Sequence, residues 1–133
     1  MRVRSDYESP LVLEKIEITE SIFRKKDVPL EGLELSVHVD YDIENIAEDG
    51  YEVILSTSVG DENENIYVNV KGKAIFHTQQ KNMDILEKNS IAIMFPYIRS
   101  YISIITTQPG MVPIVLPAMN IIAMINDKKM KKP

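Results

Sequence analysis

A single charged side chain, that of Arg99, lies in the stretch NSIAIMFPYIRSYISIITTQPGMVPIVLPAMNIIAMIN, which spans residues 89–126. On a helix of about 100° per residue, the apolar side chains of 91–107 fall in one arc of roughly 200°, about twice the stripe with which a surface helix docks. One packing partner cannot cover an arc of this width. We therefore expect the helix to share its surface with a second copy of the chain, with an apolar client, or with both.

The sequence before this helix shows the alternation of a β-sheet with one apolar face. Predicted strands cover residues 11–23, 33–45, 51–59 and 66–77, and the second of them alternates apolar and polar residues without a break. Short turns between the last three strands imply neighbouring antiparallel pairs. We predict an α+β fold, in which a long and a short C-terminal helix cover one face of a four-stranded antiparallel sheet.

Two local features of the sheet follow from the sequence. The apolar residues of the first strand change parity after Leu13, which predicts a bulge near Glu14-Lys15 and leaves Ile22 on the apolar face. The dipeptide Asp49-Gly50 suits a turn with positive φ.

The helix ends are also marked in the sequence. Asn89 or Ser90 is predicted to cap the long helix, and the residues before Asn89 are interpreted as a short helix or a polar connection. Pro96 predicts either a kink or a helix start close by. Pro117 suits the first position of the short helix, which we place over 118–125.

Length and composition indicate one domain over residues 1–133, with flexible ends at 1–10 and 127–133. The chain has no cysteine, which excludes disulfides, a thiolate nucleophile and a cysteine metal site. The first residues lead into no apolar signal region, and prolines together with Arg99 interrupt the apolar stretch. We therefore expect a cytoplasmic chain without membrane insertion.

Charge is distributed unevenly along the chain, whose formal net charge is −5. Residues 1–70 hold 17 acidic and 6 basic side chains, whereas residues 71–133 hold 3 acidic and 9 basic ones. The acidic half disfavours nucleic acid as a partner. It is consistent with a soluble sheet face or with attraction of a basic partner.

Catalytic and metal-binding patterns are weak. His38 and His77 are the only histidines, and neither has ligands at metal spacing, so we expect no metal and no cofactor. The hydroxyls of the long helix have no histidine or lysine at motif spacing to activate them. An enzyme is therefore disfavoured.

The motifs IMFPYIR, residues 93–99, and LPAMNI, residues 116–121, resemble the C-terminal signature of the SecB protein-export chaperone family. In that family a Phe-Pro-Tyr-x-Arg helix is followed, at the same distance, by Leu-Ala-Pro-Val-Asn-Phe. The order of four strands before the helices also agrees. Residues 111–113 and the reversed pair Pro117-Ala118 depart from the family pattern, so we interpret the chain as a divergent member.

The resemblance implies an ATP-independent holdase that binds unfolded polypeptides, possesses apolar client grooves and assembles as a homotetramer, a dimer of dimers. Candidate client contacts are Met111, Val112, Ile114, Val115, Leu116, Met119 and Ile122, with Tyr41 and Tyr51 as aromatic contacts. Ordinary core or subunit interface is the alternative for each. Candidate interface residues are Ile93, Tyr97, Arg99, Tyr101 and Ile104. Arg99 is interpreted as a buried, paired interface arginine or as an anchor for a client main chain.

Family members transfer clients to the motor ATPase SecA through acidic residues on the outer sheet face. By register, Glu20 matches one such position and Tyr67 an apolar contact position, whereas Arg24 and Asn69 stand where the family has acids. Two other functions stay open. One is a SecB-like adaptor for a single partner, such as a toxin–antitoxin component, and the other is a small α+β enzyme.

Overall fold

The structure, a computed structural model, describes residues 1, 3–7 and 9–131. Four strands are followed by two helices: β1 (Val12–Lys25), β2 (Ser36–Ala47), β3 (Gly50–Gly60), β4 (Ile66–His77), α1 (Met83–Ile105) and α2 (Ile121–Lys131). The strands form one antiparallel sheet in the order β1-β4-β3-β2, with β1 and β2 at its edges. Both helices pack on the apolar face of this sheet, which confirms the predicted fold class.

The two central strands supply most of the sheet's contribution to the core. Val53 and Leu55 of β3, and Val68 and Val70 of β4, are completely buried because they have neighbours on both sides. The apolar residues of edge strand β2 are mostly half-buried, since that strand pairs on one side only. This strand begins at Ser36, three residues later than predicted.

Strand β1 contains two bulges rather than one. The bulge after Leu13 confirms the prediction, and a second follows Ile18. The second inverts the alternation again, so Phe23 packs against the core. Ile22 pairs with Asn69 on the outer face, and its predicted place on the apolar face is wrong.

The turn between β2 and β3 differs from the predicted one. Glu48 and Asp49 form the turn, and Gly50 is already the first residue of β3, paired with Ala47. Positive φ occurs at Gly32 and other positions but not at Gly50, so the expected role of this glycine is wrong.

Helix α1 begins earlier than predicted. The side-chain oxygen of Asn82 accepts hydrogen bonds from the amides of Asp84 and Ile85, which makes Asn82 the cap. Asn89 and Ser90 lie inside the helix, so both predicted caps are wrong. The helix continues through Pro96, and a helix start near this proline is therefore also wrong. The proline lies on the exposed side, where water can solvate the carbonyl it leaves unpaired.

Helix α2 also has different bounds from those predicted. Asn120 accepts a hydrogen bond from the amide of Ala123 at 2.9 Å, so the helix starts after Asn120 and not at Pro117. Residues 127–131 continue the helix, and residues 132–133 lie outside the described part. The described residues of 1–10 are exposed and outside the strands. The flexibility of both ends stays a prediction.

Gly72 allows α1 to approach the sheet closely. A Cβ at Gly72 would lie 2.7 Å from Cδ1 of Ile98, a completely buried residue. We expect Gly72→Ala to destabilise the fold by about 1–3 kcal/mol through overpacking. Adding Ile98→Val, which removes the clashing methyl group, should restore part of this loss. Urea unfolding of the two single variants and the double variant measures the coupling, and strictly additive effects would exclude this contact as the cause.

Candidate functional site

An apolar groove of about 660 Å³ lies between the two long loops of the chain. One wall is the β1–β2 loop, residues 26–35, and the other is the link, residues 108–120, which joins the C-terminal turn of α1 to α2. Their apolar lining residues, together with one from β4, are Val28, Pro29, Leu30, Leu33, Leu35, Ile66, Met111, Val112, Pro113, Ile114 and Val115. We call this space the loop groove. Its volume and lining are typical of sites that bind apolar groups.

The link exposes part of its apolar surface. Val112 is 84% exposed and Val115 is 77% exposed, whereas Leu116 between them and α2 is only 4% exposed. Leu116 therefore anchors the link in the core, and the two valines lie at the mouth of the loop groove. Apolar residues this exposed on a groove wall indicate a surface that binds another molecule.

The hydroxyl groups of Ser103 in α1 and of Thr106, its C-cap, hold the link in place. Thr106 Oγ1 accepts a hydrogen bond from the amide of Ile114 at 2.9 Å, and Ser103 Oγ donates to the Ile114 carbonyl at 2.9 Å. Both backbone groups of one link residue are thus satisfied by side chains of the helix.

Helix α2 is held to the rest of the chain by a buried side chain and by ion pairs. Ile125 is completely buried. Lys129 lies 2.6 Å from Asp84 and 3.2 Å from Glu87 of α1, and Lys128 lies 2.9 Å from Asp40 of β2. The partner lysine lowers the pKa of Asp84, and hydrogen bonds to the carboxylates raise the pKa of Lys129. These pairs fix α2 over β2 and the first turns of α1.

Tyr41 joins the same cluster through a hydrogen bond from its hydroxyl to Glu87 at 3.2 Å. Burial, and then the neighbouring negative charge of Glu87, raise the pKa of Tyr41 from 10.0 to about 12. The folded state therefore holds this proton more tightly than the unfolded state does. The associated stability is fully present below pH 10 and is lost as the pH rises towards 12.

The Tyr41→Phe variant tests this pH dependence. We expect the urea midpoint of the wild type to fall more steeply between pH 9 and 11.5 than that of Tyr41→Phe, which has no phenol to ionise. Parallel pH profiles for the two proteins would contradict the raised pKa of Tyr41.

The outer side of α1 carries a second apolar surface. Tyr97 is 52% exposed and Ile104 is 66% exposed, and both line a cavity of about 430 Å³ against Ile16 and Ile18 of edge strand β1. Tyr101 lines the same cavity, and its hydroxyl lies 3.4 Å from Ser21 Oγ. The wide apolar arc of α1 is therefore divided between the core and the surface.

The two other predicted interface residues of α1 do not line this cavity. Ile93 is half-buried against the core. Arg99 is half-buried as well, and no ion pair joins it to another residue of the described part of the chain.

Comparison with known families shows which family this chain belongs to. The model of the family described as preprotein translocase subunit SecB matches residues 1–132. The chain belongs to the SecB family. Members of this family are chaperones and not enzymes, which agrees with the interpretation of the sequence.

Individual relatives of this SecB-family chain are distant. An uncharacterised protein of Methanocaldococcus jannaschii is 34% identical over 64 residues, which cover 45% of this chain and 41% of that protein. The match thus spans less than half of the relative's length.

Two solved structures share the fold. A SecB-like chaperone of Mycobacterium tuberculosis, in complex with a ChAD peptide from the HigA1 antitoxin, has a TM-score of 0.67 at 14% identity, covering 83% of this chain and 91% of that one. A protein of unknown function from Streptococcus agalactiae has a TM-score of 0.50 at 11% identity, covering 81% and 97% of the two chains.

The structure places the candidate client contacts of this SecB-family chain in two groups. Met111, Val112, Ile114 and Val115 come together on the loop groove. The others do not line it: Tyr51 and Leu116 are buried in the core, Tyr41 and Met119 are half-buried against it, and Ile122 is exposed on α2.

The outer sheet face carries Glu20 and Tyr67, which the sequence predicts as SecA contacts. Glu20 is exposed on β1 and pairs in register with Lys71. The guanidinium of Arg24 lies over the ring of Tyr67 at 4.9 Å from its centroid. A cation therefore covers the ring of Tyr67, beside a polar cavity of about 630 Å³ that includes Glu34 and Glu62.

The histidine and acidic side chains of the described residues form no metal site. Among the described residues, no group of three or more histidine or acidic side chains could hold a metal ion. His38 is exposed, and His77 lies 2.6 Å from Glu14. No helix in the described part of the chain is long and apolar enough to cross a membrane.

Sequence reasoning missed one wall of the groove. The β1–β2 loop supplies five apolar lining residues, of which Val28, Pro29 and Leu30 had been interpreted only as loop. Three consecutive apolar residues in an otherwise charged loop were the available signal.

Proposed function

We propose that this SecB-family chain is an ATP-independent holdase that binds unfolded polypeptides in the loop groove. The observation that carries the proposal is the exposure of Val112 and Val115 at the mouth of an apolar groove. Apolar burial is non-directional and contributes about 25 cal/mol per Å², so such a groove can hold many sequences. Met111 on the same wall is unbranched and polarisable, which lets it adapt to different side chains.

The proposal includes assembly in the cytoplasm as a tetramer, a dimer of dimers. The exposed side of α1, with Tyr97 and Ile104, supports an interface between copies because it is apolar and lies beside the unpaired edge of β1. Arg99 lies on the other flank of α1, about 200° around the helix from Tyr97, and stays a predicted interface residue. We also propose that the chain has a role in protein export.

Contact with SecA through Glu20 and Tyr67 stays a prediction of the sequence. Arg24 over the Tyr67 ring places a positive charge where the family has an acid. This charge is opposite in sign to the acidic surface that the resemblance assigns to the SecA contact. We therefore propose that handover to SecA, where it occurs, depends on Glu20 more than on Tyr67.

A dedicated adaptor is the second candidate function. The M. tuberculosis SecB-like chaperone that shares this fold was solved with a peptide from an antitoxin. Light scattering during dilution of several unrelated denatured proteins separates the two functions. Suppression of aggregation of most of these proteins supports the holdase. Suppression of none of them, together with tight binding to the product of one adjacent gene, supports the adaptor.

A further inference from the structure

Two hydroxyl groups at the end of α1 make a clamp on the link. Thr106 Oγ1 accepts the amide hydrogen of Ile114 and donates its own hydrogen to the carbonyl of Ile102 at 2.7 Å. Ser103 Oγ donates to the carbonyl of Ile114. The clamp therefore joins one residue of the link to the last full turn of the helix through both of its backbone polar groups.

Burial makes this clamp hard to replace by water. Thr106 is completely buried, and the side chain of Ile114 packs against the core. A buried amide or hydroxyl that loses its partner keeps the full cost of its desolvation. Residues 108–120 contain no helix or strand of their own, so they cannot satisfy these groups by regular pairing.

The clamp also decides which side chains face the groove mouth. Successive side chains of an extended segment point to opposite sides. Ile114, whose backbone the clamp holds at α1, packs against the core and Leu116 is buried, whereas Val115 between them is 77% exposed. Pro113 and Pro117, on either side, restrict the backbone further.

We propose that Ser103 and Thr106 are positioning residues for client binding. They touch no client themselves; they hold the link in the conformation that presents Val112 and Val115 to the loop groove. A link that is ordered before the client arrives loses less conformational entropy on binding, which raises affinity. This inference rests on the proposed holdase function.

The test compares three variants at the end of α1. Thr106→Val keeps the shape of the side chain and removes the clamp's hydrogen bond to the Ile114 amide, and Thr106→Ser keeps the hydroxyl. Thr107→Val is the matched control, because Thr107 is exposed and its hydroxyl donates to the Ser103 carbonyl without touching the link. The probe is fluorescently labelled, reduced and carboxymethylated α-lactalbumin, which cannot refold.

Two readouts are taken for each variant. In Thr106→Val we expect the Ile114 amide to exchange hydrogen at least about tenfold faster and the probe to bind about three- to tenfold more weakly, the effect of one lost hydrogen bond. Thr106→Ser should restore both readouts, and Thr107→Val should change neither. Urea unfolding identifies any variant that fails to fold.

The outcomes separate this inference from the proposed function. Absence of probe binding to the wild type would overturn the proposed function and, with it, a role for the clamp in binding. Normal wild-type binding together with unchanged affinity in a folded Thr106→Val variant would overturn the positioning inference alone. Unchanged exchange of the Ile114 amide in Thr106→Val would overturn the clamp itself.

Discussion

Replacement of Val112 and Val115 together by aspartate is expected to weaken binding of unfolded chains by more than tenfold while leaving the fold intact. Both side chains lie largely in water in the free protein, so the change should alter the free energy of unfolding by less than about 0.5 kcal/mol. In the client complex, the same positions would bury apolar surface worth about 1–2 kcal/mol each. Charged carboxylates there would also have to be desolvated against an apolar client.

A matched control separates groove chemistry from added negative charge. Val3 and Val12 are exposed valines away from the loop groove, so the Val3→Asp, Val12→Asp double variant makes the same chemical change elsewhere. Fluorescence anisotropy of the labelled α-lactalbumin probe measures binding for both double variants and the wild type. Equal loss of affinity in the two double variants would assign the effect to charge, and full retention of affinity in the groove variant would exclude this site.

Replacement of Tyr97 and Ile104 by glutamate is expected to dissociate the assembly. Light scattering should report about four times the 15.2 kDa chain mass for the wild type and a smaller species for the double variant. The reason is that buried, unpaired carboxylates at a subunit interface are strongly unfavourable. Since both side chains are more than half exposed in one chain, the fold of that chain should survive.

The opposite end of the same helix supplies the control for assembly. Met83 and Ile85 are exposed in the first turn of α1, away from the β1 cavity. Glutamate at these two positions should leave the mass unchanged. A wild-type protein that scatters as a monomer at micromolar concentration would contradict the interface proposed for Tyr97 and Ile104.

The strands were predictable because apolar and polar residues alternate along a strand whose sheet has one buried face. Where two apolar residues are consecutive, the alternation does not show which of them faces the core. Ile22 and Phe23 can each face the core, and only the second bulge, after Ile18, decides in favour of Phe23. A bulge needs no special residue, so a single sequence offers no independent sign of it.

The helix ends were misplaced for a different reason. Asn82, Asn89 and Ser90 are all suitable caps, and the charged residues after Asn82 hid the apolar face of the first turns of α1. Tertiary contacts of that segment, such as buried Leu86 and the pairing of Asp84 with Lys129, determine which cap is used. Those contacts join residues far apart in the sequence.

The groove was half predictable. The apolar character of the link is visible in the sequence, and four of its predicted client contacts do line the groove. The opposite wall comes from the β1–β2 loop, about 80 residues earlier, and only folding brings Val28 and Leu33 against Val112. The clamp on Ile114 could not be predicted for the same reason, since the path of the link in the folded chain brings Ile114 to the hydroxyls of Ser103 and Thr106.

Site-specific crosslinking tests the central claim, that unfolded chains bind at the exposed link. A photoreactive benzoylphenylalanine would replace Val112 in one protein and Ser58, on the polar outer face of the sheet, in another. We predict that illumination in the presence of the α-lactalbumin probe yields a crosslinked product from position 112 and none from position 58. Equal crosslinking from both positions, or crosslinking from position 58 alone, would contradict the account.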